Sequence, residues 1–462
     1  SFYTMNPSGN ADSYNTGLGF HSGYSTTTGY YNTAIGGGAL YSNTTGDRNV
    51  AMGINALYSN TTGAGSVGIG YHALYTATTE GSLTAIGYRA LFANTTGTGT
   101  VAVGYQALTA NTTGDYNSAL GTYALQSNTT GNQNTSVGYQ SLYVNSTGSY
   151  NTAMGYGALL DNTTGASNSA FGSYSLYNNT TAANNTAMGS EALYSTTSGG
   201  NNSAVGYQDL YSNTTGSYNT ASGYRALRNN TSGDYNTAVG AYALYSSTNP
   251  GGTGSYNTAV GYKSLYSNTT GAYNSAIGYG VLHLNTTGDS NSGLGFNALY
   301  SNTTGDYNTA IGLDALYSNT TGNSNIGLGY RALSDNTTGS DNIAMGWKAL
   351  ESNTTGNYNN AIGVKALFSN TSGWNNVAIG DSALYNHNGS DAIAIGKAAG
   401  NSSQGEYSIA IGDTAGNSIQ GEYSVAIGNY AGYSNQGVNS IAIGDIPNVD
   451  SSISTTIGFN PS

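Results

Sequence analysis

Small, large apolar and polar residues follow one another along this chain in an order that returns every 17 residues. The stretch Tyr300–Gly312, YSNTTGDYNTAIG, contains most of the recurring pattern. The small residue of its TAIG motif serves as the reference and is position 3 of each repeat. The 17-residue spacing places position 3 at Gly17, Ala34, Ala51, Gly68, Ala85, Ala102, Ala119, Ser136, Ala153, Ala170, Ala187, Ala204, Ala221 and Ala238.

The period changes twice further along the chain. The step from Ala238 to Ala259 is 21 residues, and the spacing of 17 then continues to Ala378. From Ala394 to Ala442 the spacing is 16 residues. Self-similarity at a fixed period indicates a repeat architecture in which each repeat is one structural unit.

Each repeat carries the signals of short strands separated by corners. Position 2 is mostly Thr, Ser, Val or Ile, position 3 is small, position 4 is large and apolar except at Ser222, and position 5 is glycine. This alternation predicts a strand that ends at a glycine corner. Position 9 is leucine in the full 17-residue repeats from Leu40 to Leu384. It predicts a second short strand, and the usual NTTG of positions 12 to 15 predicts a second corner.

One such repeat cannot bury enough apolar surface to fold alone, whereas stacked repeats share a continuous core. The sequence therefore predicts an all-β protein, a parallel β-solenoid (β-roll or β-helix) of about 26 coils. The predicted core consists of the position 4 and position 9 side chains, represented by Ile35, Leu40, Met52, Leu57, Ile69, Leu74, Ile86, Leu91, Leu299, Ile311 and Leu316. Position 3 then faces the other way, and its small size predicts close approach of a neighbouring chain.

The period also suggests the domain organisation. We expect a β-solenoid of 17-residue repeats over residues 15–390 and one of 16-residue repeats over 391–445. Residues 1–14 and 446–462 break the period and are expected to be caps or coupling segments. The strand-like SISTTIGF, Ser452–Phe459, favours coupling to the next subunit. The insertion within SSTNPGGTGSYN, Ser246–Asn257, lengthens one coil.

The composition narrows the function further. Charged residues make up only 6% of the chain, against about 25% in typical domains. The nine Lys and Arg are scattered singly and the net charge is −12, which argues against nucleic acid as a partner. No run approaches the ~18 apolar residues of a membrane span. With no cysteine, disulfides and zinc–thiolate sites are excluded.

Catalytic and metal-binding residues are not predicted. The histidines His21, His72, His283 and His387 are not paired at metal-ligand spacing. The aspartates at position 16, Asp47, Asp115, Asp234 and Asp306, lack the calcium-roll pattern and are expected to be solvated turn residues. We therefore expect a protein that is not an enzyme and has no cofactor.

Three motifs carry a resemblance to a known family. NSIAIG (Asn439–Gly444), YSVAIG (Tyr423–Gly428) and YSIAIG (Tyr407–Gly412) resemble the repeat of trimeric autotransporter adhesin heads. The longer NTAxGxxALxxNTTG repeat resembles arrays in tail-fibre-type proteins. The resemblance implies a β-roll fold, a homo-oligomer such as a trimer, and an extracellular or cell-surface location.

Asparagine at position 12 leaves two interpretations open. Each NTT, NST or NTS matches the N-glycosylation acceptor, and each also suits a stacked Asn/Thr ladder at a turn. The ladder is favoured. The candidate glycosylation sites are Asn43, Asn60, Asn94, Asn111, Asn128, Asn145, Asn162, Asn179, Asn213, Asn230, Asn268, Asn285, Asn302, Asn319, Asn336, Asn353 and Asn370.

Tyrosine recurs at positions 6, 10 and 17, which predicts either an adhesive, sugar-stacking surface or packing between coils and subunits. Together the patterns favour an extracellular structural fibre that assembles with copies of itself, laterally or end to end. The alternative is a surface adhesin or a phage-like receptor-binding fibre that contacts carbohydrate or a host surface.

Overall fold

The computed structural model describes residues 14–245 and 254–445 and the backbone of the strand at 455–458. Every regular element in this part of the chain is a β-strand, and each repeat contributes one. The chain divides into two compact units, Ser1–Ser232 and Gly233–Ser462. The coils of each unit stack as a parallel β-solenoid, which confirms the predicted fold class.

The first unit contains strands β1 to β13, each paired in parallel with its neighbours in chain order. The register keeps one full repeat between partners, so that Thr16 pairs with Thr33. The strands are Thr16–Leu18, Thr33–Ile35, Val50–Met52, Val67–Ile69, Thr84–Ile86, Val101–Val103, Ser118–Leu120, Thr135–Val137, Thr152–Met154, Ser169–Phe171, Thr186–Met188, Ser203–Tyr207 and Thr220–Tyr224.

The second unit contains β14 to β27 in the same parallel arrangement. Thr237 pairs with Thr258, so the longer step leaves the strand register intact, although residues 246–253 of the insertion lie outside the described part. The strands are Thr237–Val239, Thr258–Val260, Ser275–Tyr279, Ser292–Phe296, Thr309–Ile311, Ile326–Leu328, Ile343–Met345, Asn360–Ile362, Val377–Ile379, Ile393–Ile395, Ile409–Ile411, Val425–Ile427, Ile441–Gly444 and Thr455–Gly458.

Glycine forms both corners because the backbones of neighbouring coils approach closely there. At position 5, Gly312 has a φ of +134°, which side chains of L-residues rarely permit. A Cβ on Gly312 would also lie 2.6 Å from the carbonyl oxygen of Gly329. At position 15, a Cβ on Gly305 would lie 2.4 Å from the carbonyl oxygen of Gly322. The glycines therefore set the distance between coils.

The prediction of a second strand around position 9 is wrong. Asn297 at position 7 and Leu299 at position 9 have φ values of +53° and +55°, and the residues around them form turns. A strand requires negative φ, so this segment cannot extend. It still pairs with the next coil, because the amide of Leu299 donates to the carbonyl of Ala315 at 3.0 Å.

The interior of the 17-residue coils holds the position 9 leucine and several small or polar residues, whereas position 9 is glycine in the 16-residue coils, as at Gly400. The leucines of the expected core are fully buried: Leu40, Leu57, Leu74, Leu91, Leu299 and Leu316. The expectation for position 4 is wrong. Ile35 and Ile69 are half-buried, whereas Met52, Ile86 and Ile311 are 38%, 37% and 45% exposed. Alternation along the strand turns position 3 inward and position 4 outward.

The small size of position 3 has its cause inside the chain and not in a neighbouring chain, so that prediction is also wrong. Ala34, Ala51 and Ala85 are fully buried within the coil. A Cβ on Gly68 would lie 3.3 Å from Cγ of Leu57, the leucine of the preceding coil. The leucine fills the narrow interior, and only a small side chain fits against it.

Two neighbouring positions that depart from the usual residues of the repeat illustrate this fit. Position 8 is usually alanine, but Val281 occupies it in the second unit. Position 3 of the next coil is then Gly293, where a Cβ would lie 2.4 Å from Cγ1 of Val281. The larger side chain at one position is therefore offset by the smaller one at the other.

Both flanking segments lie mainly outside the described residues. Residues 1–13, 446–454 and 459–462 are not described, and they include most of the expected caps or couplers. The backbone of Thr455–Gly458 is described, and it pairs in parallel with Ile441–Gly444 of the same chain. Coupling of this segment to a second subunit stays a prediction.

Candidate interaction surface

The sequon asparagines form a buried ladder in both units. All of these side chains are fully buried. Nδ2 of Asn302 donates to Oδ1 of Asn285 at 2.7 Å and to the carbonyl of Gly305 at 2.9 Å. Oδ1 of Asn302 accepts from Nδ2 of Asn319 at 2.8 Å. Glycosylation at these asparagines is therefore excluded in the folded chain, because the acceptor nitrogen is enclosed and hydrogen-bonded.

This burial applies to every asparagine considered as a candidate glycosylation site: Asn43, Asn60, Asn94, Asn111, Asn128, Asn145, Asn162, Asn179, Asn213, Asn230, Asn268, Asn285, Asn302, Asn319, Asn336, Asn353 and Asn370. The threonine that follows each asparagine extends the ladder. The hydroxyl of Thr303 donates to the carbonyl of Thr320 at 3.0 Å. The NTTG motif thus connects one coil to the next through side-chain hydrogen bonds.

A second buried ladder occupies position 1 and was missed from the sequence. Nδ2 of Asn308 donates to the carbonyl of Gly322 at 2.8 Å, and the amide of Asn308 donates to Oδ1 of Asn291 at 2.9 Å. The recurrence of asparagine before the TAIG motif was the available signal. In the shorter repeats position 1 is serine, as at Ser424, and Nε2 of the buried Gln420 donates to the carbonyls of Ile409 and Ser424.

The outward face of the strands exposes apolar side chains at positions 4 and 6 in both units and is named here the outer face, defined by positions 2, 4 and 6. Position 2 is usually threonine or serine, and polar residues such as Thr122, Ser173 and Ser190 interrupt position 6. In the five-residue strand Ser292–Phe296, Leu294 and Phe296 are each 46% exposed. The preceding strand presents Ile277 and Tyr279, which are 41% and 49% exposed. Because the register is one full repeat, like residues lie side by side from coil to coil.

Aromatic rings at positions 6, 10 and 17 form rows of stacked rings. At position 10 of the second unit, His283 and Tyr300 have ring centroids 4.8 Å apart with an interplanar angle of 7°. At position 17, Tyr256 and Tyr273 are 5.1 Å apart with an angle of 3°. Each ring inside a row therefore covers the faces of its neighbours. Such rows present ring edges to solvent, which disfavours sugar stacking along them.

Most cations share one position of the repeat, although the sequence scatters them. Six of the nine Lys and Arg occupy position 7: Arg89, Arg225, Lys263, Arg331, Lys348 and Lys365. This position runs between the ring rows of positions 6 and 10. Lys365 Nζ, for example, lies 5.3 Å from the ring of Trp347 and 5.6 Å from that of Tyr385. Five of these six cations therefore stabilise the ring rows through cation–π contacts, whereas Arg331 is paired with carboxylates.

Two titratable groups are buried at positions that are otherwise uncharged. Asp209 occupies position 8 in the first unit, and burial raises its pKa to about 7 against the opposing effect of hydrogen bonds from the amides of Ala226 and Gly223. His387 occupies position 12 in the second unit, and burial lowers its pKa to about 4. Both groups therefore tend towards the neutral form in the folded chain.

The position 16 aspartates have a structural role where their contacts are described. Oδ1 of Asp115 accepts from the amide of Thr98 at 2.8 Å, and Oδ1 of Asp306 accepts from the amide of Asp289 at 2.7 Å. Asp47 lies 3.8 Å from the guanidinium of Arg48. Over the described ranges, no group of three or more His, Cys, Asp or Glu is placed to hold a metal ion.

Comparison with known protein families finds no match, and comparison with characterised proteins finds none either. In the part of the chain that the structure describes, no helix has the length and apolarity needed to cross a bilayer.

Proposed function

We propose that this protein is the structural subunit of an extracellular fibre, and that its copies associate side by side through the outer face. The observation that carries the proposal is the large exposed apolar surface at positions 4 and 6. The extracellular location rests on the resemblance of the repeats to adhesin heads and fibre arrays.

The size of this surface supports an interface. In the first unit the rings of Tyr71, Tyr88, Tyr105, Tyr139, Tyr156, Tyr207 and Tyr224 are between 39% and 48% exposed. At roughly 200 Å² for a whole aromatic side chain, these rings alone present on the order of 600 Å². The position 4 side chains add to this area. Typical monomers rarely expose apolar patches beyond about 300–600 Å², and a stable interface covers about 800 Å² on each partner.

The periodicity of the surface favours a second copy as the partner. Rows of like side chains repeat at the coil spacing of about 4.8 Å. Two copies carry ridges and grooves of the same period, so their outer faces match along their length. An unrelated protein would match only locally. Self-complementary patches of this kind are typical of homo-oligomers.

Charge placed on the outer face tests the proposal. Ile311 and Met345 are at position 4 and are 45% and 39% exposed. The double variant Ile311→Lys/Met345→Lys should shift the protein to smaller species in sedimentation velocity and abolish lateral contacts in negative-stain images. A matched control, Thr304→Lys/Thr338→Lys, adds the same charge to exposed turn residues and should leave assembly unchanged.

Two outcomes would contradict the proposal. One is a wild-type protein that remains a monomer at concentrations up to about 100 μM, well above the range of specific interfaces. The other is an outer-face variant that assembles as the wild type does. Sedimentation also gives the number of copies, which decides between a trimer and a larger bundle.

A further inference from the structure

A row of stacked rings ends abruptly in the second unit. At position 10, Tyr266, His283, Tyr300 and Tyr317 follow one another at centroid distances of 5.1, 4.8 and 5.3 Å. The next residue at this position is Ser334, which has no ring. The face of Tyr317 that points towards Ser334 is therefore not covered by a stacked neighbour.

Two row ends in the first unit are covered by a cation. In the first unit the row that ends at Phe92 has the guanidinium of Arg89 at 4.3 Å from the ring centroid. The row that ends at Tyr211 has the guanidinium of Arg228 at 4.8 Å. Near Tyr317 the guanidinium of Arg331 is instead held by carboxylates. The open face of Tyr317 thus differs from these ends in chemistry as well as in shape.

The gap left by Ser334 is a cavity of about 220 Å³, named here the Ser334 notch. Its lining consists of Asp314, Tyr317, Tyr330, Arg331, Ser334 and Asp335. Tyr317 and Tyr330 are 36% and 41% exposed, so both rings are accessible to a ligand. The volume suits one small ring and is below the usual range of drug-sized sites.

The polar groups of the notch are held in place. Arg331 Nη1 lies 2.9 Å from Oε1 of Glu351, whose side chain is 5% exposed. Arg331 Nη2 lies 3.9 Å from Oδ1 of Asp335, which also accepts from the Ser334 hydroxyl at 2.9 Å. Oδ1 of Asp314 accepts from Nδ2 of Asn297 at 3.4 Å. Carboxylate acceptors and guanidinium donors therefore surround the open ring face.

We propose that the Ser334 notch binds a neutral pyranose unit of a carbohydrate. The apolar C–H face of the sugar lies on Tyr317, and its hydroxyls donate to Asp314 and Asp335 and accept from Arg331. Three carboxylates, those of Asp314, Asp335 and Glu351, face two cations, Arg331 and Lys348, whose Nζ lies 3.2 Å from Glu351. This excess of negative charge disfavours an acidic sugar.

A quaternary ammonium is the competing ligand for an aromatic ring beside carboxylates. The sugar is favoured because the notch offers both hydrogen-bond donors and acceptors, and an ammonium without N–H groups uses neither. The proposal does not require lateral assembly, because the stacking ring of Tyr317 is at position 10, although Tyr330 on the rim of the notch is at position 6 and belongs to the outer face. It would give the fibre a receptor-binding role.

Saturation-transfer NMR on the full chain tests the proposal. The probes are the methyl pyranosides of glucose, galactose, mannose, xylose and N-acetylglucosamine, with glucuronate and choline for comparison. We expect at least one neutral pyranoside to bind with a dissociation constant on the order of 1–10 mM, and glucuronate to bind more weakly. Ser334→Tyr, which continues the ring row, should weaken this binding at least about tenfold.

A matched control separates the notch from general effects of an added ring. Thr109 is also at position 10 and follows Phe92, whose ring Arg89 already covers. Thr109→Tyr should leave the binding unchanged, and circular dichroism should show that both variants fold. The proposal is overturned if no neutral pyranoside binds at about 100 mM, if Ser334→Tyr binds as the wild type does, or if only choline binds.

Discussion

Leucine at position 9 combines an unfavourable backbone conformation with complete burial. Leu299 has a φ of +55°, which costs an L-residue roughly 1–2 kcal/mol. Burial of its side chain contributes about 1.5–3 kcal/mol, so the net effect favours leucine over glycine. The backbone strain is offset because position 9 directs a large side chain into the centre of the coil.

A pair of aspartate substitutions separates the interior from the outer face. Leu299→Asp should lower the free energy of unfolding by several kcal/mol, because it places an unpaired charge among buried residues. Ile311→Asp should cost less than about 1 kcal/mol in the monomer, because position 4 is open to water. Denaturant unfolding followed by circular dichroism measures both. Equal effects would mean that the assignment of the two faces is wrong.

Asparagine at position 12 should be as sensitive as the leucine. Asn302→Ala removes three hydrogen bonds and leaves the buried Oδ1 of Asn285 without its donor. The carbonyl of Gly305 keeps its bond from Asn291, and Nδ2 of Asn319 keeps its bond to the carbonyl of Gly322. We expect a loss on the order of 2–4 kcal/mol. Asn323→Ala, at an exposed position 16 of the next coil, serves as the control and should cost less. Thermal unfolding of the two variants under identical conditions gives the comparison.

Asp209 should make the first unit less stable as the pH rises. Its pKa is raised from the ordinary 3.8 to about 7 in the fold, so the folded state binds the proton more tightly than the unfolded state. Stability is then greatest below about pH 4, falls between about pH 4 and 7, and is constant above. The difference between the two pKa values corresponds to about 4 kcal/mol at most.

Asp209→Ala restores the residue type of neighbouring coils, such as Ala192 and Ala226, and should remove this slope. The variant should therefore be more stable than the wild type at pH 8, and the advantage should shrink towards pH 4. Urea unfolding across this range measures the effect. A pH dependence that is the same in both proteins would show that Asp209 does not titrate as described.

At the scale of one element, the coil is the unit of both structure and stability. Strand pairing, the two asparagine ladders and the ring rows all connect residues one repeat apart, as Asn291 and Asn308 do. The coil has little structure of its own beyond three strand residues and its turns. Its register is therefore fixed by neighbours and not by local propensity.

Removal of one whole coil should be tolerated for this reason. Deletion of residues 308–324 joins Tyr307 to Asn325, which then takes the place of Asn308 beside Asn291. We expect the circular dichroism spectrum to be preserved and the melting temperature to change little. Deletion of 308–323 leaves one extra residue at position 1, breaks both ladders locally and should lower the melting temperature. Similar melting of the two deletions would argue against a fixed register.

At the scale of the whole molecule, the small fraction of charged residues and the net charge of −12 determine how assembly depends on salt. Copies that meet side by side repel one another weakly, and salt screens this repulsion because the Debye length falls from about 30 Å at 0.01 M to about 3 Å at 1 M. The apolar contact itself weakens on cooling. Assembly through the outer face should therefore increase with salt and with temperature.

Light scattering at matched protein concentration tests this expectation. The mean particle mass should be larger at 1 M than at about 0.02 M sodium chloride, and smaller at 4 °C than at 25 °C. Dissociation by salt would indicate a contact made by ion pairs, which the outer face does not contain in quantity. The charged variant Ile311→Lys/Met345→Lys should show neither dependence.

The sequence by itself determined the period, the parallel solenoid, the strand at the TAIG motif, the glycine corners and the burial of the leucines, but not the turn conformation around position 9. This was possible because the contacts of a solenoid recur in each coil. The sequence distance between Gly312 or Leu299 and the same position in the next repeat therefore equals the register offset between neighbouring coils. The asparagine ladder was also among the expectations, since amides spaced by one repeat can bond along the stack.

Only the tertiary structure decided which face of the strand points inward. Ala310 and Ile311 are adjacent and apolar, and turning the strand by one residue exchanges the two faces. The choice depends on the space that remains once Leu299, in its left-handed conformation, has filled the coil, and this space cannot be read from a strand pattern. The Ser334 notch and the cation–π contacts at position 7 likewise exist only where neighbouring coils bring different side chains together.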